Sequence, residues 1–270
     1  MTIQRVGDLK MNTVKHNSKA WDKKVEDGVS YTKAVSKDII DRSKLGDWRI
    51  TVTTEKPVPR RWFPESLTGL KVLCLASGGG QQGPVLAAAG ADVTVMDISK
   101  KQLENDEMVA KANNLSLTAI QGDMCDLSMF SEGEFDLIVH PVANVFVEDI
   151  SPVWKEASRV LKDRGVLISG FTNPLLFIFD DEEDQKGNLV VSNRIPYSTL
   201  DSMTEKEKSD YLMSDETIEF GHTLEDQIQG QIDAGFVIAG LYEDDFGGRR
   251  PIDTYIKSFV ATRAVKMKVE

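Results

Sequence analysis

The sequence predicts an α/β protein built on a mostly parallel sheet with helices on both faces. Three observations predict it. From Lys71 onward, short apolar runs without clean polar alternation are each followed by a helical pattern. A glycine-rich turn, Gly78 to Gly83, separates the first run from the first of those helices. An acid, Asp97, ends the second run. Strands buried on both faces read as near-continuous apolar runs, and right-handed crossovers carry their C-terminal ends to one edge of the sheet, where ligands bind.

Residues 1–66 read as a helical N-terminal cap. Tyr31, Val35 and Ile39 recur at helical spacing, Gly46 follows as a stop, and Pro57, Pro59 and Pro64 punctuate a connector. Residues 67–270 form the main domain. KVLCLA is its first strand, and PVLAAAGA the first helix, with Pro84 in the first turn, where a missing N–H costs nothing. ADVTVMD is the second strand, SKKQLENDEMVAKANN a helix opened by Ser99, LTAIQ the third strand and FDLIVHP the fourth. SPVWKEASRVLKDRG reads as a helix with Val153, Ala157, Val160 and Leu161 on one face, closed by Gly165 before the fifth strand, GVLISGF. The alternation then breaks. Residues 174–222 hold an apolar PLLFIF, a DDEED run read as a solvated turn, and a polar helical stretch around TEKEKSDYLM. We read them as a substrate-side insertion over the ligand edge. HTLEDQIQGQIDAGF restores a helix ending at Gly235, and FVIAGLYED and TYIKSFVATRAV supply two last strands.

Composition narrows the function classes. With 41% hydrophobic and 28% charged residues over 270 positions, the chain can bury a large core. It carries 32 lysines and arginines against 43 acids, a net charge of −11, which argues against tight binding to a phosphate backbone. No apolar run reaches the ~18 residues a membrane span needs, and the first residues lack a signal-like apolar stretch. Cys74 and Cys125 are the only cysteines, too few for a disulfide framework, and a reducing cytoplasm is the simplest setting. Three scattered histidines give no metal-ligand spacing, so no metal is expected. Residues 1–66 hold 14 cations against 9 acids, an excess that either solvates helix faces or touches an acidic partner.

GGGQQG satisfies the G-x-G-x-x-G spacing through Gly78, Gly80 and Gly83, and glycines after a strand let a ligand approach the backbone closely. Asp97 stands where a carboxylate accepts from both ribose hydroxyls. An adenosine-type ligand follows. Glycines and acid alone leave a nicotinamide dinucleotide and S-adenosylmethionine both open. Gly122-Asp123-Met124 adds a second acid at the ligand edge, able to accept from an adenine amine. Taken in order, VLCLASGGGQQ, VTVMDIS, IQGDMCDL, FDLIVHPVANVFVED and EASRVLKDRGVLISGF resemble the class I S-adenosylmethionine-dependent methyltransferases over about residues 70–171. The resemblance is closest to their small-molecule branch of the quinone-biosynthesis type. It implies a Rossmann-like seven-stranded sheet with an antiparallel last strand, and S-adenosyl-L-methionine as cofactor with S-adenosyl-L-homocysteine as product. It further implies that Ser77, Gly78, Gly79, Gly80 and Gln82 underlie the methionine part, that Asp97 binds the ribose, and that Ile98 packs on the adenine. Gly122, Asp123 and Met124 would meet the adenine, and His140 would sit beside the sulfonium and the acceptor. Two positions depart from the family pattern: Cys74 replaces its acid in the first strand, and Ala76 its first glycine.

Methyl transfer from a sulfonium is an in-line displacement that needs positioning and desolvation; a base is needed only if the acceptor must lose a proton. His140 is the candidate catalytic base, with a structural histidine as the alternative. Asn144, Tyr197 and His222 are candidate substrate contacts, Arg194 could join them, and Trp21 and Tyr31 could close over the cofactor. The favoured function is methylation of a small molecule. The alternatives are an RNA or protein methyltransferase docking through the basic lead-in, a nicotinamide-dependent oxidoreductase, and a cofactor-binding protein without activity. HPVA after the fourth strand lacks the Asn/Asp-Pro-Pro-aromatic clamp of nucleic-acid amine methylases.

Overall fold

In the central strand β1 (Lys71–Leu75), Val72 and Cys74 enter one apolar cluster while Leu73 and Leu75 enter another on the opposite face, all fully buried. That is why its sequence shows no polar alternation. The computed structural model describes residues 2–268, with side chains from residue 13 on; residues 1, 269 and 270, at the ends of the two predicted segments, lie outside the described residues. β2 (Asp92–Asp97), β3 (Thr118–Gln121), β4 (Phe135–His140) and β5 (Leu161–Thr172) run parallel to β1. Within the insertion, β6 (Tyr197–Ser198) and β7 (Phe220–Gly221) make a separate two-stranded ribbon. β9 (Phe259–Lys266) lies antiparallel between β5 and the edge strand β8 (Phe236–Asp244), so the seven-stranded order is β3-β2-β1-β4-β5-β9-β8. This is the Rossmann-like arrangement expected, with an antiparallel closing strand.

Helices cover both faces. α3 (Gln82–Ala88) and α4 (Lys100–Asn113) follow β1 and β2. Ser99 caps α4 by accepting from Gln102 N at 3.1 Å, and Asn114 closes it with a φ of 54°, in the left-handed region that ends helices. α5 (Ser151–Val160) stops earlier than its periodicity predicts. Leu161 pairs with Phe135 of β4, is fully buried, and gives its carbonyl to Lys266 Nζ at 2.8 Å, so sheet pairing takes it from the helix. α8 (Gly230–Asp233) continues a π-helical turn, Glu225–Gln229, before β8.

Residues 13–66 are joined to this sheet through its core. α1 (Thr2–Glu26) lies against α4, and α2 (Lys37–Lys44) against α3. Ile40, Val52, Trp62 and Phe63 belong to the same apolar cluster as Val72 and Val95. The helix expected from Tyr31 begins only at Lys37, capped by Ser36. Residues 31–35 are drawn over the glycine loop instead: Val35 N donates to Gly80 O at 3.0 Å, and Gln81 Nε2 donates to the Tyr31 and Lys33 carbonyls.

The insertion also departs from expectation at DDEED. Asp181–Gln185 is a short helix, α6, and Asp184 is only 1% exposed. Asp184 pairs with Arg250, whose Nε donates to Oδ2 at 2.7 Å, and accepts from Ile252 N. A carboxylate buried this way needs that partner, and the run alone does not reveal a cation 66 residues later. α7 (Glu205–Leu212) carries a capping box from Thr204 and Glu207.

Candidate functional site

The C-terminal ends of β1, β2, β3 and β4 open into a cavity of about 990 Å³. Its floor is the loop after β1, with Ser77, Gly78 and Gln82, together with Asp97 and Ile98 after β2 and Gly122, Asp123 and Met124 after β3. Trp21, Tyr31 and Thr51 to Glu55 line it from the N-terminal segment, and Phe177, Phe179, Asp181, Tyr197 and Glu219 from the insertion.

Asp97 organises the floor. Its Oδ2 accepts from Gly78 N and its Oδ1 from Ser99 N, both at 2.9 Å. A carboxylate has further lone pairs to offer. Burial pushes its pKa up to about 6, against the two backbone donors, which pull it down. Gly78 is required where it stands: a Cβ there would come within 2.7 Å of Gln102 Cβ and 3.0 Å of Asp97 Oδ2. Gly79 and Gly80 sit behind this rim and do not line the cavity. Gly79 N donates to Asp106 Oδ2 at 2.9 Å. Thus the carboxylate that Cys74 does not supply from β1 reaches the loop from α4. Burial pushes Asp106 up to about 7. Ala76 adopts a φ of 48°, the left-handed region in which a glycine would sit without steric cost.

Ile98 is fixed through its carbonyl, which accepts from Ser18 Oγ at 2.8 Å and Gln121 Nε2 at 2.9 Å. Asp123 accepts from Cys125 N, which holds its carboxylate in a tight turn at the rim. Ser77 Oγ donates to Gln82 Oε1, and Gln82 Nε2 donates to Thr51 O at 3.0 Å, so the loop is tied to the N-terminal segment.

Three predicted residues are elsewhere. His140, expected beside the acceptor as a base, is completely buried and does not line the cavity. Its Nδ1 donates to Leu75 O at 2.9 Å, and its Nε2 lies 2.8 Å from the Asn144 side-chain amide. Burial lowers its pKa and favours the neutral ring. With Nδ1 donating, a neutral ring accepts at Nε2, which requires the NH2 of Asn144 to face it. Neither nitrogen is left for an acceptor's proton. Asn144 is likewise buried, bonded onward to the Gln227 side chain at 2.8 Å. His222 Nε2 donates to Asn144 O at 3.0 Å. These three residues brace the loop after β4 from behind. The chemistry-bearing residue types were legible, but which way each side chain points depends on packing. Arg194 does not line the cavity either, whereas Tyr197, Trp21 and Tyr31 do.

Other lining residues escaped the sequence reading. Gln102 could have been found, since it lies three residues after the Ser99 cap, on the turn facing the loop. Glu219, Arg249 and Arg250 could not, because the insertion and the loop after β8 carry no periodicity that places them. Among the described residues no group of three or more His, Cys, Asp or Glu could hold a metal, and no helix is long and apolar enough to cross a membrane.

Comparison with known proteins matches this geometry. A methyltransferase domain family matches residues 73–169, which span β1 to β5. The chain is 56% identical over 254 residues to the uncharacterized methyltransferase YbaJ of Bacillus subtilis strain 168, covering 94% of this chain and 98% of that one. It is 31% identical to a ubiquinone biosynthesis O-methyltransferase of Pelagibacter ubique, over only 41% of this chain and 45% of that protein, so the quinone-type branch is not singled out. Among solved structures, an S-adenosylmethionine dependent methyltransferase from Mesorhizobium loti superposes with a TM-score of 0.58 at 19% identity, covering 77% of this chain and 95% of that one. The extended match to YbaJ, the domain match across the cofactor edge and the shared fold lead to one conclusion: this chain belongs to the class I S-adenosylmethionine-dependent methyltransferases, with S-adenosylmethionine as its cofactor.

Proposed function

We propose that the protein methylates a small molecule taken up in the cavity beside the cofactor. The observation that carries this reading is the depth of the site, a cavity walled by the N-terminal segment, the strand ends and the insertion. Its volume of about 990 Å³ stands at the upper end of the ~300–1,000 Å³ usual for ligand sites, room for a nucleoside cofactor and a second small molecule. α1 and the insertion both close over it. A polynucleotide would meet an acidic rim, and four of the lead-in's cations, Lys23, Lys24, Lys37 and Arg42, each pair with a carboxylate of this chain.

The floor fits the cofactor on its own geometry. Gln102, which lines the cavity, has its Oε1 buried without a partner among the described residues. Asp97 would hold the ribose hydroxyls, Ile98 and Met124 the adenine faces, Asp123 the adenine edge, and the Ser77–Gly78 backbone the methionine portion. S-adenosylmethionine, when bound, supplies an electrophilic methyl group on a sulfonium. This chain's own part is to align an acceptor and exclude water, with Pro141, Val142 and Phe146 forming an apolar wall at the loop after β4. The internally bonded His140 and Asn144 would hold that wall in register.

The test uses the full chain, titrated calorimetrically with S-adenosylhomocysteine and with NAD, then incubated with methyl-labelled cofactor and separate bacterial extract fractions. Label in molecules under about 1 kDa is the expected result. Label in tRNA or protein alone would overturn the small-molecule reading, and binding of NAD alone would overturn the assignment of the floor.

A further inference from the structure

Charges around the cavity do not balance. Among the described residues three cations line it, and each is engaged by acids: Arg250 with Asp181 and Asp184, Arg249 with Glu55, and Lys24 with Glu216 at 3.4 Å. Asp97 and Asp123 belong to the floor. That leaves Glu219, next to β7, whose carboxylate accepts from the Thr217 hydroxyl at 3.3 Å and has no ion pair among the described residues. Lys24 acts on it from a distance, while Asp181 and Glu216 add negative potential.

Two aromatic rings share its side of the cavity. Tyr197 and Phe177 stack with centroids 5.3 Å apart at 23°, and both line the cavity. Gly221 makes the stack possible, because a Cβ there would lie 2.9 Å from the Phe177 ring and 3.0 Å from Tyr197 Cβ. The backbone of Glu219 is locked to the same ribbon: Thr199 N donates to its carbonyl at 2.9 Å, and its own N–H donates to Thr199 Oγ1 at 3.0 Å. A lone carboxylate beside aromatic faces in a partly desolvated site attracts cations by both charge and ring quadrupole.

Building on the small-molecule reading, we propose that the methyl acceptor carries a cationic ammonium group, which seats on Glu219 beside the Tyr197 and Phe177 rings as an anchor. A different atom of the same molecule, one with a free lone pair, takes the methyl as the S–CH3 bond breaks. An anionic acceptor would meet Glu219 and, among the described residues, only cations already paired with acids. Burial raises the Glu219 pKa above the ordinary glutamate value, and a cation seated beside it would lower it again.

The experiment is calorimetry on the full chain saturated with S-adenosylhomocysteine, using three probes of similar shape: phenethylamine, 2-phenylethanol and phenylacetate. Phenethylamine should bind saturably and at least tenfold tighter than phenylacetate. Glu219→Gln should weaken phenethylamine tenfold or more while leaving S-adenosylhomocysteine affinity unchanged, which also shows that the variant is folded. Equal or tighter binding of phenylacetate, or a Glu219→Gln variant that binds phenethylamine as the wild type does, would overturn the proposal. So would a tenfold loss of S-adenosylhomocysteine affinity in the variant, which would assign Glu219 to the cofactor. If 2-phenylethanol binds and phenethylamine does not, the amine proposal fails and the small-molecule reading stands. If none of the three binds, the amine proposal fails, and the small-molecule reading is decided by where the methyl label goes.

Discussion

On the proposed reading Asp97 accepts from both ribose hydroxyls at full strength only when ionised, and burial has raised its pKa to about 6. Above pH 7 the carboxylate is ready, and affinity for S-adenosylhomocysteine should be flat. Below pH 6 binding must expel a proton, so Kd should rise by up to about tenfold per pH unit. The same raised pKa acts on stability with the opposite sign. The folded chain holds this proton at pH values where the unfolded chain has lost it, so Asp97's own contribution to stability increases as pH falls from about 6 towards the unfolded value near 4. Asp97→Ala should cost about 1.5–3 kcal/mol of cofactor binding, as expected for charge-assisted bonds, and should abolish the acid limb. A calorimetric titration from pH 5 to 8 on both proteins checks each point; an unchanged profile in the variant would assign the limb to another group. His140 calls for a different expectation. Its replacement by alanine leaves Leu75 O unpaired and opens a void, which should cost about 2–4 kcal/mol in urea denaturation. The pH profile of turnover should keep its shape, whereas a catalytic base would take a limb of the profile with it.

Elements that bury a face were legible in the sequence, and elements held by distant partners were not. The runs around Val72, Val93 and Ile138 predict strands because both of their faces are apolar, and Ser99 marks the start of α4 because it caps its own first turn. Leu161 defeats the reading, since it fits the apolar stripe of α5 and the edge of β5 equally well, and only the pairing with Phe135 decides. The floor of the site follows the same logic: Gly78, Asp97 and Asp123 stand at strand ends that sequence locates. The braces His140, Asn144 and His222 stand one layer behind, where orientation is set by Leu75, Gln227 and other residues far along the chain. The insertion is the extreme case. Its anchor is the Asp184–Arg250 pair, with Asp184 1% exposed and Arg250 also bonded to Asp181. Asp184→Ala strips the buried partner and leaves a half-buried guanidinium to Asp181 alone, at a cost of about 1–3 kcal/mol, less than for a fully buried pair. Hydrogen exchange should speed up across residues 174–222, while S-adenosylhomocysteine affinity, which depends on the floor, should change little. Exchange that stays at the wild-type rate would mean the insertion is anchored elsewhere.

At the scale of the molecule, α1 and the insertion both wall the cavity and fasten to each other and to the floor. α1 reaches both. Asn17 donates to the Phe146 and Ile218 carbonyls and accepts from Ile218 N at 2.8 Å, joining the loop after β4 to the insertion. Ser18 donates to Ile98 O, and Asp22 accepts from Ser99 Oγ at 2.7 Å and Lys101 N at 3.0 Å, which sets a negative charge against the N-terminus of α4. Trp21 meets Tyr31 and Phe146 edge to face at 5.9 and 5.2 Å, over the cavity mouth. A cofactor on the proposed floor that left past α1 would break some of these bonds, and lifting α1 would expose the Trp21 ring. The two processes are therefore linked: whatever free energy the cofactor gains from the closed form also protects α1 from opening. Saturating S-adenosylhomocysteine should slow amide exchange in residues 13–26 as well as in the glycine loop. Asp22→Ala should release the cover from α4, removing about 1–2 kcal/mol from its closure. In stopped-flow displacement the variant should show faster S-adenosylhomocysteine dissociation. If dissociation is unchanged although exchange in α1 accelerates, the cofactor leaves by a route that α1 does not guard.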